Sequence, residues 1–222
     1  MIKVNILVEG QTEETFVNEV LNPHFLSKGI YFTPILATTR PARLSKGANK
    51  GGITSFSRIE KDIQRLLYDS SAALVTTMID YYGLAGKDFP GWDTMPKGSC
   101  YDRVRHLEQA FSEKIDHRKF LPYLSLHEFE AMLFSAPEHI VKEFPDAKDD
   151  VLAEFEKIRN YVESPEEIDD ISPPSKRILK LLPGYEKVVY GSIIALGIGL
   201  DTIRAECKHF DEWLTEVEKR CK

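Results

Sequence analysis

An alternation constrains this chain more than any other feature. Four short apolar runs, "IKVNILV", "GIYFTPILA", "AALVTTMID" and "KFLPYLSL", are each followed by a stretch in which apolar residues recur at helical spacing. The runs are rich in β-branched residues, have the length of strands, and read as buried strands. Parallel strands need a crossover, so the order β-α-β-α-β-α-β-α predicts an α/β fold with a mainly parallel central sheet flanked by helices. Thr12 stands where it can cap the first helix, "EETFVNEVLNPHFLSKG". "SFSRIEKDIQRLLYD" sets Phe56, Ile59, Ile63, Leu66 and Leu67 on one face, and "CYDRVRHLEQAFSEKI" is a further helix. Pro122 inside the fourth run points to an edge or early strand position. "HEFEAMLFS" is expected to start a helix directly after it.

From Pro137 onward only helical patterns and loops remain, with breaks near "SPEEID", "ISPPSK" and "LPGY". The 222 residues divide into an α/β core over 1–135 and a helical C-terminal part over 136–222 packed on it, together one domain. The most apolar late stretch, "VVYGSIIALGIGL", has 13 residues. A membrane span needs about 20, so a buried helix is expected and no membrane partner. "MIKVNILVEG" reads as a first strand, and no signal peptide is expected. Cys100, Cys207 and Cys221 are far apart and lack Cys-x-x-Cys spacing. Neither a disulfide framework nor a zinc site is expected, and a reducing cytoplasm is the expected compartment.

Net charge is −6, unpromising for a polyanionic partner, but it is unevenly spread. Ala136 to Ile171 holds 12 acids and 4 bases, so the remainder of the chain carries +2. A solvated helix face with a loop explains the acid run.

Ligands of open α/β sheets sit outside the carboxyl ends of the strands. Acids fall at three such ends: Glu9 after the first run, Asp80 ending the third, and Glu128 with Glu130 after the fourth. Carboxylates gathered there repel one another unless a cation neutralises them, and hard oxygen ligands suit Mg²⁺ or Mn²⁺. Glu13, on the first helical turn, is placed to hold a second ion; two ions about 3.5–4 Å apart clamp both oxygens of a phosphodiester displacement. Each acid also has a plain explanation. Glu13 and Glu14 complement a helix dipole, and Asp80 can cap a turn. Glu128 and Glu130 point to nearly opposite sides of a helix but share a face of a strand, so a helix from His127 leaves at most one as a ligand.

The stretches "ILVEGQTEETF", "VTTMIDYYGL" and "LSLHEFEAMLF", with the tail "PPSKRI…LPGYEK…IGL…IRAEC-x-HF-x-EWL", resemble the Toprim-like bacterial family of unknown function often encoded beside an ATPase in defence or mobile islands. The resemblance covers nearly the whole chain. It implies kinship with the Toprim domains of topoisomerases, primases and overcoming-lysogenization-defect nucleases, whose pattern is a Glu after the first strand and Asp-x-Asp after the third, binding Mg²⁺. Glu9 matches the first Glu, Glu13 resembles the second acid of the nuclease branch, and Asp80 matches the first Asp. The second Asp position is Tyr82, a departure that removes one carboxylate; Glu128 or Glu130 is placed to compensate. The resemblance implies a Mg²⁺- or Mn²⁺-dependent nuclease acting on DNA or RNA, in phage defence with a partner ATPase. The alternative is a module that binds nucleic acid or scaffolds a complex without cutting. A receiver-like phosphoacceptor at Asp80 is a further alternative, but it needs adjacent acids after the first strand, where this chain has Glu9 followed by Gly10.

Several bases stand where a nucleic acid would need them. Thr38 to Gly52 carries Arg40, Arg43, Lys46 and Lys50 and no acid, among glycines that permit close backbone approach to phosphate. Lys176 and Arg177 follow Ser175 at the expected start of a helix, a ready anion site. Lys187, past the "PGY" turn, is a candidate to stabilise charge developing on phosphate. His127 is a candidate base or support beside the two glutamates. Tyr81, Tyr82 and Trp92 flank Asp80 and offer stacking faces, although Trp92 suits loop anchoring. Cys207, Phe210, Trp213 and Leu214 recur at helical spacing and read as core.

Overall fold

The structure, a computed structural model, describes residues 1–38, 55–84, 88–168 and 172–222. The sheet is parallel throughout its described pairings. β1 (Ile2–Val8), β2 (Ile30–Leu36), β3 (Ala72–Asp80) and the short β4 (Phe120–Leu121) lie in the order β2-β1-β3-β4, and β5 (Leu124–Ser125) continues beside β3. The fourth apolar run is thus two short strands. Pro122 supplies no N–H to the ladder. The Thr77 hydroxyl bridges the gap by accepting the Tyr123 N–H at 2.9 Å and donating to its carbonyl at 2.8 Å. Pairing resumes at Ile79–Leu124 and Asp80–Ser125, so Asp80 ends the sheet with a neighbour on that side.

Alternation along each strand separates two cores. Val4, Ile6 and Val8 of β1, with Leu74 and Met78 of β3, face the N-terminal helices and the C-terminal helical part. Leu7, Val75 and Ile79 face the opposite side, where α3 (Phe56–Leu67) and α4 (Cys100–Ile115) cover the sheet. The first helical stretch is α1 (Gln11–Phe16), one π turn (Val17–Leu21) and α2 (Asn22–Leu26). Its N-cap is Gly10, not Thr12. Thr12 is buried, because α8 (Lys187–Ile198) crosses close above it.

The stretch after β5 is a 3₁₀ helix over Phe129–Ser135, with Glu128 still extended. Among the described residues six α-helices follow: α5 (Pro137–Lys142), α6 (Val151–Asn160), α7 (Pro174–Leu181), α8, α9 (Leu200–Glu206) and α10 (Lys208–Arg220). α10 is tied to the sheet by Trp213 Nε1, which donates to the buried Thr76 hydroxyl at 2.9 Å. It is tied to α4 by His209 Nε2, 3.0 Å from Glu108 Oε1. Cys100, Cys207 and Cys221 are all free thiols.

α8 departs from the expected buried helix. Gly191, Ser192, Ile194, Ala195 and Ile198 are buried, but Val188, Val189, Ile193 and Leu196 are 51%, 49%, 47% and 56% exposed. Its composition is apolar all round because the buried face needs small residues and the outer face carries no charge. Among the described residues, no single helix is long and apolar enough to cross a membrane.

The α8–α1 crossing depends on one glycine. A Cβ at Gly191 would lie 3.0 Å from Thr12 Cγ2 and 3.2 Å from Phe129 Cε1. The Ser192 hydroxyl donates to the Thr12 carbonyl at 3.2 Å beside it. Gly191→Val should therefore lower unfolding stability by about 1–3 kcal/mol, the usual cost of overpacking, in urea denaturation followed by circular dichroism. Unchanged stability would show that the two helices can separate freely.

Candidate metal centre

The carboxyl ends of β1, β3 and β5 deliver their acids to one place. Glu9 follows β1 and turns back across the sheet, and its Oε2 accepts the Asp80 backbone N–H at 3.2 Å. The loop after β3 closes over it at Gly83, where a Cβ would lie 3.0 Å from both Glu9 carboxylate oxygens. Glu13 stands on the first turn of α1, buried beneath α8. Glu130 arrives from the 3₁₀ helix and is 1% exposed. Lys187, the first residue of α8, enters from the opposite side. Its Nζ lies 3.2 Å from Glu13 Oε1, 3.2 Å from Glu130 Oε2 and 3.6 Å from Asp80 Oδ2.

Charge is unbalanced here. Burial pushes Glu9 up to about 7, helped by Glu13, against the Asp80 N–H and Lys187. Burial likewise raises Asp80 well above the carboxylate range despite Lys187, with Glu9, Glu13 and Glu130 adding to it. Glu130 is raised for the same first reason, burial. Burial alone would lower Lys187, but Asp80, Glu130 and Glu13 outweigh it and hold the ammonium protonated. Asp80 Oδ1 and Glu130 Oε1 are buried without a hydrogen bond, while Glu13 Oε1 and Glu130 Oε2, also buried, face the Lys187 ammonium. Native interiors rarely leave such atoms orphaned unless an ion or a function is involved.

Glu128, near enough to raise Glu9 and Glu130, has a different partner. Its Oε2 accepts the Ser175 N–H at 3.1 Å, so it sits on the N-terminus of α7. The anion expected at that helix end is therefore this carboxylate. Lys176 is exposed on the same turn, and Arg177 Nε donates to the Ser172 carbonyl. His127 is buried, and its carbonyl accepts the Tyr82 N–H at 3.4 Å. Tyr81 and Trp92 lie with ring centroids 6.1 Å apart, both packed against the α3–α4 core, while Tyr82 is half exposed. Arg40, Arg43, Lys46 and Lys50 lie outside the described residues.

Tyr185 is a neighbour that the sequence did not single out. Its hydroxyl is buried without a hydrogen bond, and burial, then Glu130, pushes it above its ordinary range. Only its place two residues before Lys187 could have signalled it.

As the side chains stand, no group of three or more His, Cys, Asp or Glu residues among the described residues is arranged to hold a metal ion. The point where carboxylates converge is held by the Lys187 ammonium. The donor chemistry nevertheless fits a hard divalent cation: buried carboxylate oxygens, several lacking hydrogen bonds, and a deficit of positive charge.

The raised carboxylates couple stability to pH. In the folded chain Glu9 holds its proton to about pH 7, whereas unfolded it releases it near its ordinary value of 4.5. The folded state thus binds more protons between those values and loses stability as pH rises. Metal-free protein should melt at a lower temperature at pH 8 than at pH 5.5, with Glu9 contributing roughly 2–3 kcal/mol. His209 acts in the same direction: its pKa is raised, because the bond to Glu108 outweighs burial, and its contribution is lost as pH climbs past that value. Comparison with Glu9→Gln isolates the glutamate, since the variant should show a flatter profile in differential scanning calorimetry. A profile identical to wild type would remove Glu9 as a source of the strain.

Residues 8–218 match the profile described as "Domain of unknown function (DUF4276)". In fold comparison the chain is similar to solved structures of the C-terminal region of the Xanthomonas campestris pv. campestris OLD protein. The platinum-phased structure is 19% identical with a TM-score of 0.43, covering 98% of this chain and 97% of the other. The iodine-phased structure is 19% identical with a TM-score of 0.38, covering 96% and 97%. The mercury-phased structure is 16% identical with a TM-score of 0.41, covering 96% and 97%. None of the curated proteins matches the chain.

Proposed function

The chain belongs to the DUF4276 family, and from that premise we propose that it is a Mg²⁺- or Mn²⁺-dependent nuclease that hydrolyses phosphodiester bonds of DNA or RNA. The observation that carries the reading is the gathering of four buried or nearly buried carboxylates around one ammonium at the strand ends, with Asp80 Oδ1 and Glu130 Oε1 lacking hydrogen bonds. Glu9, Glu13, Asp80 and Glu130 would hold the metal. A divalent ion bound there supplies Lewis acidity to a phosphoryl oxygen and lowers the pKa of a water.

The chain's own residues have separate parts in this reading. Asp80 N–H fixes Glu9, and Gly83 leaves it room. Lys187 carries the positive charge that an extra negative charge on phosphate calls for. Glu128, engaged with α7, orients that helix rather than taking part in the chemistry. Lys176, Arg177, Arg40, Arg43, Lys46 and Lys50 are the candidate backbone contacts to the nucleic acid, positioning a strand without reading bases. The resemblance to Toprim-like proteins encoded beside ATPases makes such an ATPase the candidate partner in phage defence.

Tyr82 favours a second reading, a Toprim-like module that binds nucleic acid or scaffolds a complex without cutting it. It stands half exposed where the resemblance calls for a second acid. The two readings differ on Glu9. Supercoiled plasmid and single-stranded RNA, incubated with Mn²⁺ or Mg²⁺, should be cut by the wild type. Glu9→Ala should cut roughly 10²–10³-fold more slowly, the usual loss on removing a group that stabilises charge in the transition state. Cutting that survives both chelator and Glu9→Ala would overturn the nuclease reading. Binding by both proteins without cutting by either would favour the module.

A further inference from the structure

The metal reading leaves one contradiction, and the inference rests on that reading. Three carboxylates given to the divalent ion already have a cation. Lys187 Nζ sits 3.2–3.6 Å from oxygens of Glu13, Asp80 and Glu130. Mg²⁺ draws its oxygen ligands to about 2.0–2.1 Å and tolerates little departure from octahedral geometry. An ion at that distance from Glu13 Oε1 cannot lie more than about 5 Å from the ammonium, wherever it sits around that oxygen. Two cations would then crowd a largely buried pocket, where like charges repel strongly.

The means of exchange is also visible. α8 itself is pinned to α1 by the Gly191–Thr12 contact and the Ser192–Thr12 hydrogen bond, so the helix that carries Lys187 and the helix that carries Glu13 keep their places. The Lys187 side chain is less confined. It is 35% exposed, its ammonium lies 5.8 Å from the Phe129 ring centroid, and its stem has several rotatable bonds. Its flexible, partly exposed stem is what a side chain needs to swing away from the carboxylates while the backbone stays in place. Its charge matches only a fraction of the acids around it, and the oxygens it faces still lack satisfactory hydrogen bonds. A divalent cation would neutralise them better.

We propose that Lys187 and the divalent cation are alternative counter-ions of one carboxylate cage. In the metal-free protein the ammonium holds Glu13, Asp80 and Glu130 together. The cation binds as Lys187 withdraws, so this side chain sets the metal affinity of the site and the stability of its metal-free form.

Calorimetric titration with MnCl₂ tests this without reference to cleavage. Lys187→Met removes the competitor while keeping the apolar stem, and should bind Mn²⁺ about tenfold more tightly than the wild type, a coupling of ordinary size between competing ligands. Metal-free Lys187→Met should also melt at a lower temperature, with Mn²⁺ restoring it. Lys187→Arg keeps a cation and offers the carboxylates a planar fork; it should fold like the wild type and bind Mn²⁺ more weakly, which keeps the test decisive should the Met variant fail to fold. Glu13→Gln should weaken Mn²⁺ binding in either background. Unchanged or weaker Mn²⁺ binding by Lys187→Met, with binding still lost in Glu13→Gln, would overturn the exchange and leave the metal reading standing. Absence of Mn²⁺ binding by wild type, Met and Arg forms alike would overturn both.

Discussion

Everything at the carboxyl edge of this sheet depends on a shortage of positive charge. Glu9, Glu13, Asp80 and Glu130 converge there, and among the described residues the one ammonium making ion pairs with the cluster belongs to Lys187. Burying carboxylates this way is costly, and burial raises Glu9, Asp80 and Glu130 together. A structural ion-pair network would balance its charges and satisfy its oxygens. Here Asp80 Oδ1 and Glu130 Oε1 remain without hydrogen bonds, and one ammonium is shared among three carboxylates. That imbalance is what turns a set of acids into a candidate site.

The rest of the fold maintains the imbalance. Asp80 is held at the sheet end because Thr77 spans the break that Pro122 makes in the fourth run, allowing β5 to pair beside Asp80. Glu13 is kept dry because α8 comes down on α1 at Gly191. α10 in turn holds the C-terminal helices to the sheet through Trp213 and Thr76. The helical C-terminal part therefore covers Glu13 and supplies the one cation that ion-pairs with the cluster among the described residues.

Much of this was legible in residues. The run "AALVTTMID" matches β3 and "CYDRVRHLEQAFSEKI" matches α4 to the residue, because β-branched runs and 3.6-residue periodicity are strong local signals. Other features were set by tertiary contact. Thr12 looked like a cap, but the crossing of α8 buried it and left Gly10 at the helix start. α8 read as wholly buried because its outer face is as apolar as its inner one, and composition cannot tell the two apart. Glu9, Asp80 and the acids after the fourth run could be placed at strand ends from sequence, since that position follows from the alternation. Lys187 was a candidate for charge on phosphate from sequence, but its ion pairs with Glu13, Asp80 and Glu130 could not be read there. It lies 178 residues from Glu9 and reaches the site only because α8 packs over α1.

The pair Glu128 and Glu130 shows how two similar acids come to differ. Glu128 is extended, the last residue before the 3₁₀ helix begins, and its carboxylate reaches the free N–H of Ser175 at the start of α7. A helix N-terminus stabilises an anion by both hydrogen bonding and dipole, so Glu128 has its counter-charge in the backbone. Glu130 is inside the 3₁₀ helix and buried, with the Lys187 ammonium 3.2 Å from its Oε2. Of the two, Glu130 is the one whose charge remains to be met.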